Sequence, residues 1–429
     1  MIFYELLFWP ALLLASPYYL RRMRRRGGYG RDFGERFGRF HPEKRARLEN
    51  LRPVWIHAVS VGEVGVALDL IRKLREIPGS PPLALSTTTS TGHALAERRL
   101  PADVPLFYYP LDSRLCFGRT HRLLRPKALV LVEAELWPNH LRFLARKGIP
   151  AALVNARLSP RCLPRYRRFR RLFAPGLRAF RLVTLQSETD APRLAEIGFP
   201  KEALRVVGSL KYDAPRDPAS PARAKIFADL AIFRDRPMWV AGSTHPGEEE
   251  LIVEIFLRLR ARHPALCLAL APRHAERAEA VAEVLRRRGV AFVLRSRLDG
   301  ACGSPDAVLL DTTGELRFLY ERAAVIFMGK SLVGRGGQNL IEPAACGKPV
   351  LHGPHMENFP SVVADFAAAK AAVTVPDAAA LEREVDDLLA NPARCAALGR
   401  AAAALVESKK GALERTVRAL SCALGFSAC

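Results

Sequence analysis

The hydrophobic positions alternate between two textures. Short, almost unbroken apolar runs, such as VWIHAVS from residue 54 and ALVLVEAE from residue 128, are each followed by a stretch in which apolar residues recur at every third or fourth position. An unbroken run reads as a strand buried on both faces, and the longer period as a helix packed on one face. VWIHAVS leads into GEVGVALDLIRKLREI, PLALSTTTS into TGHALAERRL, and ALVLVEAE into LWPNHLRFLARKG; AALVNARLS and LVTLQSE with TDAPRLAEIG continue the series. Strands of this kind with helices between them predict parallel βαβ units. The rhythm stops at YDAPRDPASPARA, residues 212–224, and restarts with MWVAGST and HPGEEELIVEIFLRLRARH, running on through AVIFMGKS and KPVLHGP. The fold class expected is therefore α/β: two Rossmann-like, doubly wound domains facing a cleft. The boundaries expected are an N-terminal segment 1–26, a first domain 27–215 and a second domain 216–429. No short-period repeat interrupts the pattern, which excludes a solenoid.

In open sheets of this type ligands bind beyond the carboxyl ends of the strands, and the polar residues collect there. In the second half GSTHPGEEE (242–250), APRHAER (271–277), DTTGELRF (311–318) and GRGGQNLIEPAACG (334–347) each leave a strand and open a helix. Glycine turns and helix N-termini present free N–H groups suited to phosphate. GRGGQN is neither GxGxxG with a following ribose-binding acid nor a Walker A loop, which argues against NAD and ATP. Glu342, just inside the helix opened by GGQN, fits two roles by spacing: complement to the helix dipole, or acceptor for ribose hydroxyls. In the first half Glu63, in HAVSVGEVG (57–65), is either a cap on the next helix or a base. VEAELWPN (132–139) sets Glu133 and Glu135 at a strand end, and with Glu63 on the neighbouring loop they suggest a site. GSLKYD (208–213) adds a cation, Lys211, at the domain boundary.

Composition sharpens this picture in three ways. With 49% hydrophobic and 25% charged residues the chain is globular. The net charge of +23 calls for an anionic partner: nucleic acid, a membrane surface or acidic small molecules. The arginines cluster in RRMRRR (21–26), directly after the apolar MIFYELLFWPALLLASPYYL, and in RCLPRYRRFRRLFAPGLRAFR (161–181). An apolar segment flanked by arginines reads as a membrane anchor with the bulk of the chain in the cytoplasm, and both a single span and an in-plane helix fit. No nucleic-acid module is recognisable. The eight cysteines are scattered without a CxxC, so neither a zinc site nor a disulfide framework is expected.

The ordered set HAVSVGE, STTTSTG, EAELWPN, NARLS, QSETDAPRLAEIG, GSLKYD, STHPGEEE, APRHAER, DTTGEL and GGQNLIEPAACGKPVLHGPHMENF, with GRDFGERFG (30–38), resembles the 3-deoxy-D-manno-octulosonic acid (Kdo) transferases of lipid A glycosylation, nearly end to end. The resemblance implies a GT-B glycosyltransferase with CMP-Kdo as donor, a lipid A precursor (lipid IVA) as acceptor and CMP as product. It implies no cofactor, no metal and no nucleic-acid partner, and a place on an anionic surface, the cytoplasmic face of the bacterial inner membrane. By position Glu63 matches the family's proton acceptor, and Glu133 and Lys211 its proposed transition-state stabilisers. Pro272, Arg273, Thr313, Gly314, Glu315, Asn339, Leu340, Ile341 and Glu342 match its CMP contacts. The chain departs from the common pattern at Ala134, Gln338, Leu340 and Ile341, and it carries Lys330 where a glycine is frequent. The chemistry implied is inverting: CMP leaves readily, while the acceptor hydroxyl gains from a base. Another nucleotide-sugar-dependent GT-B glycosyltransferase acting on a membrane lipid, a GT-B-fold sugar epimerase and a basic nucleic-acid-binding protein are the rival readings.

Overall fold

Every residue of β1 (Val54–Ala58) is buried, as the unbroken run VWIHA requires of a strand with a partner on each side. Around it lie β2 (Leu83–Thr87), β3 (Leu106–Tyr108), β4 (Ala128–Val132), β5 (Ala151–Ala156), β6 (Phe180–Leu185) and β7 (Leu204–Val206), all parallel, in the order β3-β2-β1-β4-β5-β6-β7. A second parallel sheet comprises β8 (Met238–Thr244), β9 (Cys267–Pro272), β10 (Phe292–Leu294), β11 (Ala307–Leu309), β12 (Val325–Met328), β13 (Val350–His352) and β14 (Val373–Thr374), in the order β10-β11-β9-β8-β12-β13-β14. These are the two doubly wound α/β units that the alternation predicts. The computed structural model describes residues 2–26, 30, 32–133, 136–158, 162–213, 221–298, 303 and 305–426.

The chain does not divide into consecutive halves. One unit takes the chain up to residue 214 and again from Lys410, and the other takes 215 to 409. The end of the expected second domain thus belongs to the first unit. Asp213 holds it there, accepting from the Gly411 N–H at 2.6 Å and the Leu413 N–H at 2.7 Å at the start of helix Ala412–Leu424. Leu413, Val417 and Leu420 on that helix join a core cluster with Leu70, Leu74, Val130 and Val154. An amphipathic pattern announces such a helix but does not say which sheet it covers.

The N-terminal segment is one helix, Ile2–Arg26, that continues through the arginine block. Its first turns are fastened to the first unit. The Tyr4 hydroxyl donates to Asp112 at 2.8 Å, and Glu5 accepts from the Arg114 N–H and from Asn139 Nδ2. Leu6, Leu13, Leu14 and Tyr18 are exposed. Among the described residues no helix is long and apolar enough to cross a membrane. The side chains of 22–26 lie outside the described residues.

The GRDFGERFG stretch is structural where it is described. Buried Glu35 accepts from the Tyr108 N–H and pairs with Lys44, while Arg36 donates to the Thr88 carbonyl and lies 4.3 Å from the Tyr108 ring centroid.

Candidate functional site

Helix Val61–Arg75 starts where the sequence S-x-x-E says it should. Ser60 Oγ accepts from the Glu63 N–H at 3.4 Å and donates to Glu63 Oε1 at 2.8 Å, and Glu63 Oε2 accepts from the Val59 N–H at 2.9 Å. This is a capping box, so Glu63 is a cap. The same bonds fix its carboxylate at the carboxyl end of β1. Each oxygen carries one accepted bond, and a carboxylate has about four acceptor positions, so room remains for a substrate hydroxyl. Burial pushes the Glu63 carboxyl above its ordinary value, the Glu133 charge nearby pushes the same way, and the bonds from Val59 and Ser60 only partly oppose them. A raised carboxyl is a stronger base.

Glu133 follows β4 in a left-handed conformation, φ 63°, which a non-glycine residue adopts only at a cost. Its Oε1 lies 2.8 Å from Lys211 Nζ and accepts from Asn155 Nδ2 at 3.2 Å. Asn155 is the strut of this group. It is fully buried, has φ 57°, and sits at an irregularity in the β5–β6 register. A bulge re-aims a side chain; here Asn155 Oδ1 accepts from the Leu210 N–H at 3.1 Å, beside Lys211, while its amide reaches Glu133. The first unit therefore brings Glu63, Glu133 and Lys211 together. Asn155 was missed as a site residue. The signal available was a lone amide closing the apolar run AALVN, and its partners are remote in sequence. Glu135, the second acid of VEAELWPN, lies outside the described residues.

His57, at the start of the same motif, is not part of this group. It is buried in β1 with its ring 3.7 Å from that of Tyr109, and burial pushes it down to about 3, so it stays neutral.

The second unit repeats the device. Ser243, φ 56°, sits at a register shift between β8 and β9, and Lys330, φ 58°, follows β12. Lys330 occupies a backbone conformation suited to glycine, which accounts for the usual residue at that position. Its N–H donates at 2.7 Å to Glu248. Glu248 is fully buried and also accepts from the N–H groups of His245, Ser331 and Leu332. One carboxylate thus ties the loop after β8 to the loop after β12. Its neighbour Glu249, also buried, pairs with Arg277 at 2.6 Å and accepts from Thr244 Oγ1. Two of the three glutamates in STHPGEEE are therefore scaffold.

The nucleotide candidates divide by what their side chains already do. Leu340 and Ile341 are buried, which leaves only their backbone for a ligand. Asn339 Oδ1 accepts from the Ile341 N–H at 3.1 Å. Pro272 closes β9, and the Arg273 N–H donates to the Thr244 carbonyl. Thr313 and Gly314, φ 85°, form an exposed turn. The Glu315 carboxylate is engaged by Thr312 Oγ1 and by buried Arg295, which also pairs with Asp229. Glu342 keeps exposed surface, yet its carboxyl lies in crowded surroundings that push it upward, against the pull of Arg317 and Arg273. The strand-end loops thus gather guanidinium groups, one carboxyl and turn N–H groups, a set suited to a nucleotide's phosphate and ribose. Among the described residues no cluster of three or more His, Cys, Asp or Glu is arranged to hold a metal ion.

Residues 31–214 match the family described as 3-deoxy-D-manno-octulosonic-acid transferase (kdotransferase), and residues 308–405 match glycosyl transferases group 1. The chain is 33% identical over 406 residues to the 3-deoxy-D-manno-octulosonic acid transferase of Haemophilus influenzae, covering 94% of this chain and 92% of that one. It is 37% identical over 419 residues to the enzyme of the same name from Bordetella pertussis, covering 94% and 95%. Among solved structures, UDP-GlcNAc 2-epimerase from Neisseria meningitidis bound to UDP-GlcNAc superimposes with a TM-score of 0.61 at 13% identity, over 86% of this chain and 99% of that one, a likeness of fold alone. The extent and level of identity to the two transferases settle the family: this chain belongs to the 3-deoxy-D-manno-octulosonic-acid transferases and is a glycosyltransferase of that type.

Proposed function

We propose that this protein transfers Kdo from CMP-Kdo to a lipid A precursor such as lipid IVA, with inversion and release of CMP, and that Glu63 is the base. The observation that carries the reading is the Glu63 carboxylate, fixed by two donors, raised by burial and adjacent to the Glu133–Lys211–Asn155 group. The acceptor hydroxyl oxygen bonds to the anomeric carbon of the donor as the bond from that carbon to the CMP phosphate breaks. The hydroxyl proton passes to Glu63, and the electron pair of the broken bond leaves on CMP. Positive charge develops on the sugar ring in between, as in glycoside cleavage, and Glu133 stabilises it. Lys211 balances the donor's own carboxylate. CMP rests on Pro272–Arg273, the Thr313–Glu315 turn and the Asn339–Glu342 segment, with Glu342 accepting from ribose hydroxyls.

The acceptor is an acylated, phosphorylated glycolipid, and two features suit it. Helix Ile2–Arg26 exposes Leu6, Leu13, Leu14 and Tyr18, enough apolar surface to lie in a bilayer interface. Arg165, Arg168, Arg170 and Arg171 are exposed on the helices from Leu163 to Leu177 and would meet anionic headgroups. In this reading the helix lies in-plane on the cytoplasmic side of the inner membrane; the fastening of Tyr4 and Glu5 to the first unit supports a helix that lies flat over one that spans. The test is to incubate the purified protein with CMP-Kdo and a tetra-acylated lipid A precursor and weigh the lipid. Addition of Kdo is the expected result. A folded protein that binds CMP and adds nothing would sink the reading.

A further inference from the structure

Away from the catalytic group, the first unit has a groove of about 300 Å³ with an unusual lining: Arg142, Arg146, Arg178 and Arg181 face it, and no carboxylate does. None of the four has an ion-pair partner among the described residues. Arg142 is the innermost. Its Nη2 reaches the Arg171 carbonyl at 3.4 Å, while its Nε is buried without a hydrogen-bond partner. Partial burial and the neighbouring Arg146 charge both work against its protonated form.

The ordinary reading is that arginines complement helix C-termini, and two helices, Pro138–Lys147 and Arg170–Leu177, do end here. Each terminus presents about half a negative charge, so together they offset about one of the four guanidinium charges. A surplus of roughly three remains, and like charges this close repel unless an anion joins them. Arginine forks fit phosphate oxygens in particular. We propose that this groove is a second anion site, built for a phosphate group and separate from the site of transfer. The groove lies where β5 and β6 begin, beside Pro150 and Ala179. Asn155 and Glu133 lie at the other end of the strands, roughly 15 Å away at about 3.3 Å per residue, so a ligand here does not touch the reacting atoms.

The phosphate belongs either to a free anion or to a lipid headgroup, and one pair of titrations separates them. The full-length protein, its nucleotide loops saturated with CMP, is titrated calorimetrically with pyrophosphate, and in parallel with vesicles of phosphatidylcholine with and without phosphatidic acid. The variant is Arg146→Gln/Arg181→Gln, both exposed positions, with Arg286→Gln/Arg287→Gln, exposed on the second unit and outside both arginine surfaces, as the control. Losing one charge-assisted hydrogen bond weakens binding by about tenfold or more. Pyrophosphate binding weakened that much in the first variant and not in the control supports the site and names a free anion. Vesicle binding weakened selectively, with no pyrophosphate affinity, supports the site and names a headgroup. A folded Arg146→Gln/Arg181→Gln protein that matches wild type in both titrations overturns it.

Discussion

Ser60 and Glu63 hold one another, and that mutual hold lets two roles of one glutamate be separated. Glutamine at the third helical position still serves a capping box but has no useful basicity. Glu63→Gln is expected to leave thermal stability almost unchanged and to lower kcat by about 10²–10⁴-fold, read by single-turnover transfer beside a melting curve. Ser60→Ala is the converse, costing about 1 kcal/mol of stability with the base still present. The pH profile follows from the raised Glu63 carboxyl. Activity should fall as pH drops through a midpoint above the ordinary 4.5, and the residual activity of Glu63→Gln should lack that acid limb. The cap itself was readable from S-x-x-E. Asn155 was not, because its meaning lies in a register irregularity and in contacts to residues 133 and 210, which no local pattern records.

Loops and helices here are fixed by single buried carboxylates. Glu248 satisfies four backbone N–H groups that two loops would otherwise leave unpaired. Glu248→Gln keeps one accepting oxygen and turns an amide against the other donors. It is expected to lower stability by about 2–3 kcal/mol and to weaken CMP binding, measured by unfolding and by nucleotide titration. Asp112 fastens the N-terminal helix, accepting from Tyr4 and from the Asn139 and His140 N–H groups. Burial pushes its carboxyl up to about 6, and His140, pushed down to about 3, offers no compensating charge. A raised carboxyl binds its proton more tightly when folded, so its contribution is present below the unfolded value near 3.8 and is lost as pH rises through about 6. Comparing unfolding free energies from about pH 4 to pH 7, the balance should shift toward Asp112→Asn by up to about 3 kcal/mol. The apolar period of HPGEEELIVEIFLRLRARH announced the first of these helices, and the apolar segment ahead of RRMRRR the second. Their fastenings were hidden because each joins residues distant along the chain.

For the molecule as a whole, alternation in the sequence carried the two parallel sheets, since strands buried on both faces must read as unbroken apolar runs. It did not carry the return of the last helix, because helix Ala412–Leu424 looks the same whichever sheet it covers. Deleting everything after Lys409 removes Leu413, Val417 and Leu420 from the first unit's core. At about 1.5–3 kcal/mol each, that is comparable with the roughly 5–15 kcal/mol that holds a domain folded. The truncated chain is expected to lose the first unit's cooperative urea transition and keep the second's; two intact transitions would show the helix to be dispensable. The same return sets a schedule for synthesis. Asp213 meets Gly411 across a separation of 198 residues. At about 5–20 residues per second, the ribosome needs roughly 10–40 s to supply that partner. The unit bearing Glu63 must wait through that interval with part of its core uncovered. The second unit, made wholly in between, is free to fold first.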